Sequence, residues 1–344
     1  MNQKMFAKQK GLSLIELMIG MLLGLFLLGG IVVYLVSSKT SYLNEEELGR
    51  VQENARFAME LLSQDIRNIG YGGCAVISSV TPNVIANPGS SGAVTFDADS
   101  VLQGYDAQGV NVWSPSLPAY VASSANSSTD AIFIQYATTC DTHLVGNLTS
   151  VNANIQIYSP NDCDLQADDV VVISDCQATD VFRATNVSGD SSTAGQQTIA
   201  HANNKNSTNR LSRAYQQDAE LLGLTSKIFY ISDNARGVPS LYQVDALDGV
   251  DDELVEGIEN LQFSYGVDTD SDGKANIYQT GTQIEASYSW ANVVSIRVSL
   301  LARSLIEAAT DNETYWFNSV STAAGDRFLR REFMSTVQLR NRGG

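Results

Sequence analysis

The chain has 344 residues, of which 44% are hydrophobic and 17% charged, enough apolar material for at least one sizeable core and too much for a chain disordered throughout. Lys plus Arg number 21 against 38 Asp plus Glu, a formal charge of −17. That balance repels phosphates and gives a nucleic-acid partner no support.

Residues 1–11 contain Lys4, Lys8 and Lys10 and no acid, and residues 17–36 contain no charge at all. Basic residues ahead of an apolar helix hold that flank on the cytoplasmic side. Twenty uncharged residues reach about 30 Å at the helical rise, enough for a hydrocarbon core. The run is long for a removable signal and no small-x-small cleavage site follows it. A plain single-span anchor is the simpler alternative, but it leaves Glu16, one residue before the uncharged run, without a role.

Helical periodicity continues past the span. Leu43, Leu48, Val51, Ala55, Ala58, Leu62 and Ile66 recur at spacings of three to five and form one apolar stripe. The pattern predicts one helix over 12–67, roughly 80 Å long, with 12–36 in lipid and 37–69 packed on an exported body. Glycines 20, 24, 29, 30 and 49 are candidate bends. The glycine-rich RNIGYGGC ends the helix near Gly70.

The body, residues 70–344, breaks into short strand-like runs at 131–136, 170–174, 227–232, 241–244, 261–267 and 292–301. Alternation is clearest in Val294, Ile296, Val298 and Leu300, with Ser295, Arg297 and Ser299 opposite. The expected fold is therefore α+β, a long N-terminal helix packed on a predominantly antiparallel sheet body with long loops. Two polar stretches, 122–130 and 186–210, lack an apolar face and read as surface loops. Phosphate-binding, dinucleotide and GxSxG signatures do not occur, so no catalytic residue can be named and an enzyme is not expected.

Cys74, Cys140, Cys163 and Cys176 all follow the span, where an exported body meets an oxidising compartment. Disulfides are expected, with three pairings open. Their separations are too wide for a Cys-x-x-Cys metal site, and His143 and His201 add no ligand spacing.

KQKG followed by LSLIELMIGMLLGL, residues 8–25, resembles the class III signal of type IV pilins and pseudopilins. The resemblance implies cleavage after Gly11 by a prepilin peptidase, with Leu12 as the new, N-methylated first residue. Leu12 departs from the phenylalanine or methionine usual there. Loss of the three leader lysines takes the formal charge from −17 to −20. Glu16 then becomes the fifth mature residue. A carboxylate there is costly in hydrocarbon unless a neighbouring subunit's terminal amine compensates it.

Further on, LVEGIENLQFSYGVDTDSDG at 254–273, VVSIRVSLLARS at 293–304 and REFMSTVQLRNR at 331–342 resemble the large W-type minor pilins. That resemblance implies other minor pilins and the major pilin as partners, together with the prepilin peptidase, an inner-membrane assembly platform and, before assembly, membrane lipid. It places the body in the periplasm before assembly and at the pilus tip afterwards, where such subunits prime polymerisation. A tip pseudopilin of type II secretion and a pilus-displayed adhesive module are the alternatives. No cofactor is required.

Three clusters invite other readings. Asp268, Asp270 and Asp272 before Gly273 form half of an EF-hand-like calcium loop, but Gln279 stands where a bidentate glutamate belongs; a solvated turn competes with calcium binding. Asp245, Asp248, Asp251, Asp252 and Glu253 form an acidic run. Arg327, Arg330, Arg331, Arg340 and Arg342 give the last 18 residues a basic bias, which suits either docking on an acidic face of this or another minor pilin or pairing within the chain. Tyr315, Trp316 and Phe317 cannot all share one face of a strand.

Overall fold

A computed structural model describes residues 11, 13–89, 92–312 and 314–342. Leu14–Asn68 form one continuous helix of 55 residues, so the glycines at 20, 24, 29, 30 and 49 do not interrupt it. Ser13 caps its start. At its end the chain turns out through Ile69 into Gly70, whose φ of 74° belongs to the left-handed region that glycine enters without a Cβ penalty. Val51, Ala55, Ala58, Leu62 and Ile66 are buried, while Leu43 and Leu48 are half-buried. The stripe thus grips the body only from about residue 47 onward.

Two sheets enclose that stripe. The smaller one has four antiparallel strands in the order Ile277–Gln279, Ile258–Val267, Val293–Glu307, Phe328–Gln338. Ile296, Val298 and Leu300 on one side of Val293–Glu307 join the core that contains the helix, as the alternation predicted. The larger sheet has nine strands. Its main path runs Asn83–Val84, Thr179–Arg183, Val170–Ser174, Glu220–Asp233, Ala131–His143, Leu102–Gly109, Val112–Ser114. Pro239–Asp245 adds to Glu220–Asp233, and Asp251–Glu256 adds to Pro239–Asp245. The pairing of Asn83–Val84 with Thr179–Arg183 is parallel; the rest of the sheet is antiparallel.

Each strand-like run coincides with an observed strand, usually a longer one, except that Asn292 at the start of 292–301 belongs to the short 3-10 turn before Val293–Glu307. Val170–Ser174 is buried on both faces because Val170 and Val172 face the helix core while Val171 and Ile173 face a second core. Two-sided burial explains its unbroken apolar run.

The two expected surface loops need correction. Within 186–210, Asn186–Ser188 and Gly195–Ala200 pair with each other and with Ile155–Ser159 to form a third sheet. Ile199 is fully buried in the second core, and the Asn206 side chain exchanges hydrogen bonds with the Arg183 backbone. In 122–130 the backbone N–H of Asn126 donates to Ile231 O, the Trp113 indole donates to Thr129 O, and Asp130 is buried. A polar window hid single long-range anchors in both segments.

Asp130 ties the two large sheets together. Its Oδ1 accepts from Ala107 N at 2.9 Å and its Oδ2 from Phe263 N at 3.1 Å. Nearby Asp106 accepts from the N–H groups of Gly281 and Thr282 at 2.9 and 2.6 Å. Burial raises the Asp130 carboxyl to about 7, aided by the negative charge of Asp106 and opposed by its two backbone donors. The folded state therefore keeps a proton that the unfolded chain releases near pH 4. Stability from this group is complete below pH 4, falls by up to about 1.4 kcal/mol per pH unit between pH 4 and 7, and is flat above. Asp130→Asn should remove that slope, measured as the difference between wild-type and variant urea midpoints at pH 5 and pH 7.5.

Candidate functional site

The N-terminal half of the helix is an uncovered apolar rod. Its apolar segment is long enough to cross a membrane, and none of it is buried within the chain; Leu25 and Phe26 are 75% and 72% exposed. In water such a surface is untenable at roughly 25 cal/mol per Å², so lipid or neighbouring rods must cover it.

Glu16 opens this rod. Ser13 N donates to Glu16 Oε2 at 2.9 Å, and Ile15 N donates to Ser13 Oγ at 3.3 Å, a reciprocal capping box. The carboxylate thus completes the first helical turn, a role that the sequence reading did not assign. Gly11 is exposed. Leu12 and the leader before Gly11 lie outside the described residues.

Below the rod, the helix is bolted to the body by polar contacts as well as by its apolar stripe. Buried Glu47 accepts from Leu305 N at 3.1 Å. Asn54 Nδ2 donates to Glu256 O at 3.0 Å. Asp65 accepts from Lys227 Nζ at 2.9 Å and from the Tyr136 hydroxyl at 2.7 Å; burial, then Asp65 itself, pushes the Tyr136 phenol upward. At the top, Asn341 Nδ2 donates to Asn68 O, which also accepts from Tyr71 N, and to Ile69 O, and buried Arg342 donates to Trp290 O and Ala98 O.

The cysteines form two disulfides, Cys74–Cys176 and Cys140–Cys163. The first staples the chain just beyond the helix to the turn between Val170–Ser174 and Thr179–Arg183. The second joins the end of Ala131–His143 to the segment after Ile155–Ser159.

Asp268, Asp270 and Asp272 come together, with one carboxylate oxygen of each within 4.8 Å of the others. Asp268 already accepts from the backbone N–H groups of Asp270, Ser271 and Gly273. A desolvation penalty on its carboxyl is outweighed by these donors, which hold it below the usual range. Gln279 is committed to a strand beside Tyr265, and Glu285 accepts from the Trp290 indole.

The basic bias near the C-terminus is mostly spent inside the chain. Arg330 pairs with Glu259 and Asp326, and Arg327 with Glu307. Tyr315 and Phe317 are half-buried while Trp316 between them is 61% exposed, the alternation expected of a strand.

An uncovered apolar rod runs without a break into a helix clamped by a disulfide-bonded sheet body, the arrangement expected from the resemblance to pilins. Comparison with known families agrees at both ends of the chain. Residues 6–32 match the prokaryotic N-terminal methylation motif, and residues 228–341 match the type IV pilus-assembly protein W family. Over these two stretches the chain is similar to the two families, which is consistent with a type IV minor pilin. No curated protein and no solved structure matched the chain.

Proposed function

We propose that this chain is a non-enzymatic subunit that joins other minor pilins in a tip or priming complex and starts type IV pilus assembly. The observation that carries the reading is the bare rod of residues 14–36, continuous with a helix fixed to a large body. Such a rod is stable in lipid and equally stable among parallel rods of the same kind, so one element serves both the stored and the assembled state. The bulk of residues 70–344 favours the end of a filament, where nothing stacks above it, over the repeating shaft.

On this reading prepilin peptidase cuts after Gly11, the amine of Leu12 is methylated, and Glu16 meets the terminal amine of a neighbouring subunit. The body waits in the periplasm, where two disulfides are stable, until the inner-membrane platform loads it ahead of the major pilin. Labelling the chain in sheared filaments tests this directly. One focus at a filament end, with piliation lost when the chain is removed, is expected; label spread along the shaft overturns the tip assignment. The match to the W-type pilus family favours a pilus over a secretion pseudopilus.

Calcium at Asp268, Asp270 and Asp272 is a separate proposal, which assembly does not require. Calorimetric titration with a chelator control decides it: a saturable heat with a raised melting temperature supports a site, and no heat with unchanged melting rejects one.

A further inference from the structure

One edge of Glu220–Asp233 changes partner along its length. It pairs with Val170–Ser174 over residues 220–223 and with Pro239–Asp245 over residues 227–233, while Ala131–His143 lies along the opposite edge. Residues 224–226 face no strand on the first edge, and the sheet forks there. The fork opens into a cleft of about 870 Å³ lined by Gly223, Leu224 and Thr225. Asp168 and Asp169, which lead into Val170–Ser174, line it from one side, and Asp245, Leu247 and Asp248, at the end of Pro239–Asp245, from the other. Asn87, Asn204, Asp162 and Leu165 add to the lining.

The polar groups of the cleft are of two kinds. Arg183, only 8% exposed, supplies donors. Its Nη1 donates to Asp168 O at 2.6 Å and its Nη2 to Asn87 O at 3.4 Å, while the Asp168 carboxylate pairs instead with Lys205 at 2.9 Å. A guanidinium carries five N–H groups, and these two bonds leave the rest without a partner among the described residues. Against it stand acceptors. Asp162 is exposed, and its carboxylate has no partner among the described residues. Asp169 and Asp248 each give one oxygen to a backbone N–H, of Gln166 and Val250 in turn, and keep the other. The side-chain amides of Asn87 and Asn204, also without partners among the described residues, offer both a donor and an acceptor.

This mixture selects the chemistry of a ligand. The lining holds five carboxylates against Arg183 and Lys205, so a phosphate or an acidic sugar is repelled. A polycation meets the like charge of Arg183, buried where it cannot turn out to water. A neutral group that donates and accepts satisfies both kinds at once, and sugar hydroxyls do so. Leu165 and Leu247 give the C–H faces of a sugar an apolar surface. We infer that the cleft binds a short neutral oligosaccharide, with Arg183 donating to its oxygens and Asp162 accepting from its hydroxyls. The Cys140–Cys163 bridge, beside Asp162, fixes that wall before binding. The inference uses neither the rod nor the priming role, and its failure leaves both untouched.

The test uses the full-length chain with both disulfides intact, in a polyoxyethylene detergent that carries no sugar headgroup. Arrayed oligosaccharides of glucose, mannose, galactose and N-acetylglucosamine are the neutral probes, and sialylated and glucosamine oligomers are the anionic and cationic ones. The strongest neutral binder is then titrated by calorimetry. A saturable heat is expected, weakened about tenfold by Asp162→Ala and about threefold by Asn204→Ala. Both residues are exposed, so the melting temperature should stay at the wild-type value. Affinity should change by less than about twofold between low and high salt, because screening acts on charges that a neutral ligand lacks. Absence of a saturable heat with every neutral probe overturns the inference, as does an affinity that neither variant moves. Binding confined to sialylated or glucosamine oligomers, or an affinity that collapses in salt, also overturns it and leaves the cleft a site of plain charge attraction.

Discussion

Glu16→Gln is expected to insert into the membrane at wild-type levels and to enter filaments at least tenfold less. The amide keeps a carbonyl oxygen able to accept from Ser13 N, so the capping box at the helix start survives. What it loses is the charge. If Glu16 meets a neighbour's terminal amine in the filament core, the amide leaves that cation without its partner, and removing one member of a buried pair costs about 3–5 kcal/mol. Glu16→Ala loses both roles; its extra cost over the amide should be only the cap, about 1 kcal/mol. Quantifying each variant in membrane and sheared-filament fractions separates the two functions of one side chain. Wild-type incorporation of Glu16→Gln would show that Glu16 serves only to start the helix.

The comparison of Gln with Ala became possible only through the structure, and the same division runs through the molecule. Features that repeat were legible in the sequence: the uncharged run of 17–36, the stripe from Val51 to Ile66, the alternation of Val294 to Leu300. Each is written many times over in residue type, and hydrophobic burial reads it with little ambiguity. Features resting on one polar residue and a distant partner were not legible. Glu47 meets Leu305 across 258 positions, and Asp65 meets Lys227 across 162. Nothing local marks either acid as different from the exposed Glu45 or Glu46. Residues 186–210 were misread for a related reason, since their order depends on Ile199 and Asn206 reaching a core built elsewhere. The basic run was visible as composition, but only the structure shows that Arg330 is spent on Glu259 and Asp326 while Arg331, one residue away, is exposed.

Disulfide pairing was the most consequential unknown, because three arrangements fit the sequence and only one places Cys74 beside Cys176. Replacing both of these by Ser should lower stability by roughly 4–5 kcal/mol on a chain-entropy estimate. The loop closed is 102 residues long, and the 23-residue loop of Cys140–Cys163 lies within it, which shortens the path that remains free when the inner bridge is intact. Cys140→Ser with Cys163→Ser should cost less, about 3 kcal/mol, since loop entropy grows only with the logarithm of length. Urea midpoints of the full-length protein in detergent, with each pair removed separately, measure both. The outer bridge also has a mechanical consequence that the inner one lacks. It fixes the chain immediately after the helix to the same hairpin that buries Val170 and Val172 against the helix core, so a pull on the rod passes into the large sheet through a covalent link. Loss of Cys74–Cys176 should therefore reduce recovery in sheared filaments further than an equally destabilising core substitution such as Leu62→Ala, expected to cost about 2–5 kcal/mol. Equal recovery of those two variants would reduce the outer bridge to a stabilising crosslink with no part in carrying load.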